Sequence, residues 1–229
     1  MGRYVVATTK SWNINNYEEL VLKFPDEEFY LITEKEQLTR KFLDEIQPQY
    51  VFFPHWSWII PKEIYENYEC VVFHMTDLPF GRGGSPLQNL IVRGIYDTKV
   101  SAIKVESGID TGPVYMKMPI DISYGNVEEI LGCVSEIVFK KMIPCFLQKE
   151  LCASQQEGEV VCFKRRTADE SRIPEGISER QIYDYIRMLD GEGYPKAYKD
   201  VDDVRMYFSN ARLTDEGVCA DVKIVRRSE

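Results

Sequence analysis

The chain has 229 residues, 44% hydrophobic and 28% charged, enough to bury a core as one ample domain or as a domain with a small extension. Its formal net charge of −9, with both signs mixed along the sequence, speaks against a phosphate-backbone partner, so no nucleic acid is expected. The opening "MGRYVVATTK" is too short an apolar run for a signal peptide, and no segment approaches the roughly 18 apolar residues of a membrane span. No membrane partner and a cytoplasmic location are therefore expected.

Short β-branched and aromatic runs at 3–9, 28–33, 50–56, 70–75 and 100–105 read as buried strands. Helical patterns lie between them: "NNYEELVLKF", "KEQLTRKFLDEIQ", the short "PKEIYENY", and "SPLQNLIVRG", where Ser85 suits an N-cap and Pro86 a first turn. Alternating strands and helices imply an α/β domain, Rossmann-like, with a mainly parallel sheet covered on both faces. A long amphipathic pattern at 127–149 closes this first unit, expected over residues 1–160. Residues 161–229 form a small C-terminal extension: a strand running into a loop, the helix "SERQIYDYIRMLD", and "VRMYFSNARL" and "VCADVKIV" joined through "TDEG" as a hairpin. That hairpin could pair edge to edge in a homodimer or cover its own sheet. Six cysteines without C-x-x-C spacing or nearby histidines suggest neither a metal site nor a disulfide framework, and read as reduced and mostly buried.

The chain has only two histidines. His74 ends the strand "CVVFHM", and Asp110 in "ESGIDTGP" follows the next strand. In open parallel sheets functional groups gather at the carboxyl edge, so one crevice can hold both. An imidazole there relays a proton or polarises a carbonyl, and a neighbouring carboxylate fixes its tautomer and stabilises its charged form. Equally, His74 is a hydrogen-bonded strand end and Asp110 starts a turn. "GRGGSP" reads as a phosphate cradle or as a flexible turn, with Arg82 a natural carboxylate or phosphate contact. "HWSWIIP" at 55–61 is a wall for a flat heterocycle or ordinary core, and His55, without a nearby acid, reads as structural. Lys10, Trp12 and Asn13 follow the first strand and by position face the same crevice.

Together these pieces resemble the formyltransferases that use 10-formyltetrahydrofolate, a family that includes glycinamide ribonucleotide, methionyl-tRNA and amino-sugar enzymes. "HMTDLPFGRGGSPLQ" followed by "SGIDTGPV" is similar to the family's H-x-S-L-L-P-x-x-R-G-x-x-P and G-I-D-T-G-P elements in order and spacing. The resemblance implies that His74 and Asp110 are catalytic and that no metal is required. It implies that 10-formyltetrahydrofolate is the co-substrate, its pterin lying against Trp58, Ile59 and Ile60 and the backbone of Glu106, Ser107, Gly108 and Ile109. The acceptor would meet Lys10, Trp12, Asn13, Thr76, Arg82 and Gly83. Val72 stands where the family has an oxyanion-stabilising Asn; Thr76, Ser107, Gln88, Asn89 or backbone amides are the substitutes to consider. The short tailed form is most similar to the sugar-nucleotide N-formyltransferases of pseudaminic acid biosynthesis, which implies a UDP-linked 4-amino-4,6-dideoxy sugar as acceptor. The alternatives are methionyl-tRNA or another amine, or a catalytically silent folate- or nucleotide-binding module.

Overall fold

The computed structural model describes residues 1–227. By contact, the chain divides into two compact units, the first comprising Met1–Arg82, Lys99–Ile120 and Gly132–Cys162, the second Gly83–Thr98, Asp121–Leu131 and the residues from Phe163 onward.

The first unit is built on a six-stranded sheet. In chain order its elements are β1 (Arg3–Ala7), α1 (Ser11–Lys23), β2 (Glu28–Ile32), α2 (Arg40–Ile46), β3 (Tyr50–Phe53), α3 (Lys62–Tyr65) and β4 (Cys70–His74). The short β5 (Phe80–Gly83), β6 (Asp97–Lys104) and β7 (Val114–Asp121) follow; α4 (Pro86–Ile91), between β5 and β6 in the chain, belongs to the second unit. The strand order is β2-β1-β3-β4-β6-β7. β1 pairs in parallel with both β2 and β3, and β3 with β4, as the alternating pattern implies. β6 instead runs antiparallel to β4, with His74 opposite Ser101.

The period of two along each strand separates two cores. Tyr4, Val6, Phe52, Val71 and Phe73 face one side of the sheet, with Leu20 of α1 and Val134, Phe139, Met142 and Phe146 from the long helical segment. Val5, Ala7, Val51, Phe53 and Cys70 face the other, with Leu43 and Ile46 of α2 and Ile64 of α3. Burial on both faces is why these strands read as near-continuous apolar runs.

The expected long helix is α5 (Val127–Ile137), a π-helical stretch Val138–Met142, and α6 (Ile143–Gln148). Pro144, with no N–H to return to an i−4 carbonyl, follows the widened turn. The helix expected over 35–47 splits into a 3-10 turn, Lys35–Gln37, and α2, which Thr39 caps through Phe42 N. Ser85 does not cap α4: it has φ 49° and its hydroxyl accepts from Arg166 N instead. The cysteines also depart from expectation, because only Cys70 is buried, while Cys133, Cys152, Cys162 and Cys219 are exposed; the six are free thiols. Burial pushes the Cys70 thiol up to about 12, so it is inert.

Beyond the short β8 (Val161–Phe163), which pairs with β5, the second unit carries α7 (Glu179–Arg187) and a three-stranded sheet of β9 (Tyr198–Val201), β10 (Val204–Thr214) and β11 (Gly217–Arg226). Ser178 and Gln181 close a capping box on α7. β10 and β11 form the expected antiparallel hairpin, closing at Thr214 opposite Gly217, with a bulge between Ser209 and Arg212. Asp184 and Arg187, 2% and 1% exposed, form a buried pair at 2.7 Å that Tyr96 and Arg180 complete on the second carboxylate oxygen.

Candidate active site

His74 is the last residue of β4, and its imidazole has oxygen acceptors on both sides. Nε2 lies 2.8 Å from the carbonyl of Gly81, and Nδ1 lies 3.5 Å from Oδ2 of Asp110. Because a carbonyl can only accept, Nε2 carries a hydrogen in this arrangement. The Nδ1 distance is long for a hydrogen bond.

The turn that supplies Gly81 is firmly held. Asp77 pairs with Lys117 at 2.6 Å and Lys99 at 2.9 Å. Burial alone would raise its carboxyl, but these two ammonium groups outweigh it and hold Asp77 below the usual carboxylate range. Thr76 is fully buried: its carbonyl accepts from Ser101 Oγ at 2.7 Å, and its own hydroxyl stands 3.4 Å from Gly81 O.

Asp110 reaches His74 by an unexpected route. With β6 antiparallel to β4, the end of β6 lies level with the start of β4, where Val71 pairs with Lys104, and not at His74. Asp110 and His74 therefore do not share a carboxyl edge, and it is the loop 105–113 that brings the carboxylate to the imidazole. Gly112 allows this loop to close, since a Cβ there would sit 1.8 Å from Lys104 O. Asp110 itself has φ 54°, left-handed backbone that short polar side chains tolerate better than most.

Glu106, Ser107, Gly108 and Ile109 are exposed on this loop, and Ser107 O accepts from Thr111 Oγ1 at 3.1 Å. Trp58 is exposed and packs edge-on against Trp56 at 4.8 Å; Ile59 is 91% exposed, whereas Ile60 is buried among the core residues of one sheet face. Lys10 and Trp12 form a separate cluster with His55: Lys10 Nζ lies 5.5 Å over the Trp12 ring, which meets His55 edge-on at 6.2 Å. Asn13 donates to Thr8 Oγ1 at 2.8 Å and Pro54 O at 3.2 Å, tying the ends of β1 and β3 together. Burial, followed by the charge of Lys10, lowers His55 to about 4, so it is neutral at physiological pH.

Val72 is part-buried against the same core as Ile60, so this site offers no side-chain amide from β4. Gln88 and Asn89 belong to the second unit, where their amide nitrogens are bonded to Met188 O and to Gly84 O and Lys164 O. Gly83 and Gly84 also lie there, and close packing explains them: Cβ atoms would meet Phe163 O at 2.4 Å and Arg165 Cα at 2.7 Å. The Gly84 N–H is bonded to Phe163 O, which removes it from any phosphate cradle. Sequence reasoning missed Gln156, which joins Arg82 to the Asp110 loop; it lies in a polar stretch with no periodic signal. Among the described residues, no group of three or more His, Cys, Asp or Glu side chains is placed to hold a metal.

A methionyl-tRNA formyltransferase from Clostridium thermocellum superposes with a TM-score of 0.94 at 50% identity, covering 99% of this chain and 100% of that one. The chain belongs to the formyltransferase family.

The family profile described as "Methionyl-tRNA formyltransferase, C-terminal domain" matches residues 168–225 of this formyltransferase-family chain. A methionyl-tRNA formyltransferase from Thermodesulfovibrio yellowstonii is 25% identical over 195 residues, 82% of this chain and 63% of its own length. The chain thus spans somewhat under two thirds of the curated relatives it matches. A sugar N-formyltransferase from Shewanella superposes over 100% of the chain with a TM-score of 0.62 at 16% identity, a likeness of fold alone.

Two expectations are overturned by these findings. The nucleotide-sugar acceptor of pseudaminic acid biosynthesis is not supported, because the 50% identical relative, matched over 99% of this chain, and the C-terminal profile are both of the methionyl-tRNA type. The exclusion of nucleic acid falls with it. Net charge is a sum over the whole molecule, whereas a phosphate backbone is met by local groups; Lys164 and Arg165 are exposed and adjacent despite the total of −9.

Proposed function

We propose that this chain transfers the formyl group of 10-formyltetrahydrofolate to the α-amine of methionyl-tRNA, with His74 and Asp110 handling the proton. The observation that carries the reading is His74, held between the Gly81 carbonyl and the Asp110 carboxylate in a chain 50% identical to a methionyl-tRNA formyltransferase.

The neutral amine attacks the formyl carbon; a new C–N bond forms and the carbonyl π pair moves to the formyl oxygen, giving a tetrahedral oxyanion whose carbon is still bonded to N10 of the folate. The attacking nitrogen must then lose a proton, and N10 must gain one as its bond to carbon breaks; formyl-amine and tetrahydrofolate leave. His74 accepts the first proton and returns it to N10, while Asp110 stabilises the imidazolium between the two events. Val72 offers no amide to that oxyanion, and loss of one such donor typically costs about 10²–10³ in rate. Trp58, Ile59 and the loop Glu106–Ile109 receive the pterin, and Arg82 lies beside the reacting centre. Lys164 and Arg165, exposed in the second unit, are cations offered to acceptor phosphates.

The acceptor is tested by incubating the protein with 10-formyltetrahydrofolate and either charged methionyl-tRNA or free methionine, then deacylating and weighing the amino acid. Formylmethionine is expected from the charged tRNA and not from free methionine. Charged tRNA left unmodified under conditions where 10-formyltetrahydrofolate binds would overturn the acceptor.

A further inference from the structure

We infer that Gln156 is a positioning residue whose single amide sets the groups on both sides of the His74 imidazole; the inference rests on the formyl-transfer reading of the His74–Asp110 pair. Gln156 Nε2 donates to the carbonyls of Asp110 and Gly112, each at 2.8 Å, and Oε1 accepts from Arg82 Nε at 3.1 Å and Nη2 at 2.7 Å. These four bonds leave no choice of amide orientation. A flipped amide would set oxygen against two carbonyls and NH2 against a guanidinium.

Gln156 therefore ties down the two segments that touch the imidazole. Arg82 follows Gly81, whose carbonyl holds Nε2, and Asp110 holds Nδ1. Asp110 has φ 54°, a conformation that persists only where the surroundings impose it. Two bonds from Gln156 to this loop are such an imposition, because fixing the Asp110 carbonyl fixes where its side chain leaves the backbone. Gln156 is itself anchored. Two residues earlier, Ser154 bridges Val114 with backbone bonds of 2.9 and 2.7 Å, and further on Val161 N donates to Pro79 O at 3.3 Å.

Exchange of Gln156 for Glu separates the two halves of the role. The carboxylate keeps the side chain's size and its hold on Arg82, but cannot donate to the Asp110 and Gly112 carbonyls. Gln156→Ala loses both. Because the protein has two histidines, ¹³C-histidine labelling gives one ring signal from His74 and one from His55. In both Gln156→Glu and Gln156→Ala the His74 signal should move in the direction it moves in Asp110→Asn, with the His55 signal unchanged. For formyl transfer, Gln156→Glu should lower kcat by about tenfold or more with acceptor KM within about threefold, and Gln156→Ala placed on Asp110→Asn should add less than about twofold. His74 signals unmoved in the Gln156 variants or in Asp110→Asn would overturn the inference, as would a full-sized loss of kcat on the Asp110→Asn background. If the wild-type protein forms no formylmethionine, the acceptor reading fails and the histidine spectra still decide the role of Gln156.

Discussion

The two histidines do opposite things for reasons visible around each ring. His74 has a carbonyl at Nε2 and a carboxylate near Nδ1, so its ring stands between two oxygen acceptors. His55 has φ 57° and packs against Trp12 beside the ammonium of Lys10, and burial with that charge lowers it to about 4 from 6.5. The sign of the consequence follows from linkage. The unfolded chain takes up a proton on His55 as pH falls below about 6.5, and the folded chain refuses it until about 4. The contribution to stability is complete above the upper value and is lost across that window as the solution is acidified. Urea midpoints measured at about pH 7 and about pH 4.5 should fall less in His55→Gln than in the wild type; equal falls would show that His55 does not set this part of the acid limb.

α7 holds the second unit through a pair that hydrophobic residues of equal size could replace but that neither partner can leave alone. Asp184 accepts from Arg187 Nε at 2.7 Å and Tyr96 OH at 2.5 Å, and Arg187 Nη1 donates to Gly125 O at 3.0 Å. Asp184→Ala strands Arg187, 1% exposed, without its carboxylate, and stability should drop by about 3–5 kcal/mol in denaturant unfolding. A loss below about 1 kcal/mol would mean that water or another acceptor reaches the guanidinium. The elements themselves differ in how plainly they could be read. β1 to β4 and the β10–β11 hairpin announce themselves, because buried strands and an Asp-Glu-Gly turn leave local signals. β7 went unread: it ends the strand order, is only partly buried, and contains Pro119, which an edge strand tolerates. The direction of β6 was also hidden, since a connection containing a helix suits a parallel partner equally well and direction is decided by long-range pairing.

For the whole molecule, the sequence carries the proposed reacting pair and not the proposed acceptor. His74, Asp110 and the glycines around them stand in motifs whose spacing can be recognised, whereas Gln156 acts through backbone carbonyls far away in sequence and leaves no pattern. Total charge is a poor guide to nucleic-acid binding because it averages exposed Lys164 and Arg165 with acidic residues elsewhere in the sequence. If those cations meet tRNA phosphates, the acceptor KM should rise steeply between about 50 mM and 200 mM salt while the KM for 10-formyltetrahydrofolate changes little. Parallel salt dependence of both would remove them from the acceptor site.

In the proposed reaction His74 moves the proton during formyl transfer to methionyl-tRNA. The most direct test is the single-turnover rate of formylmethionyl-tRNA formation by wild-type protein and by His74→Asn, each saturated with 10-formyltetrahydrofolate. Measurable transfer by the wild type is expected, with a rate about 10²–10⁴-fold lower in the variant and folate affinity retained. A variant within about twofold of the wild type would place the proton transfer elsewhere and contradict the account.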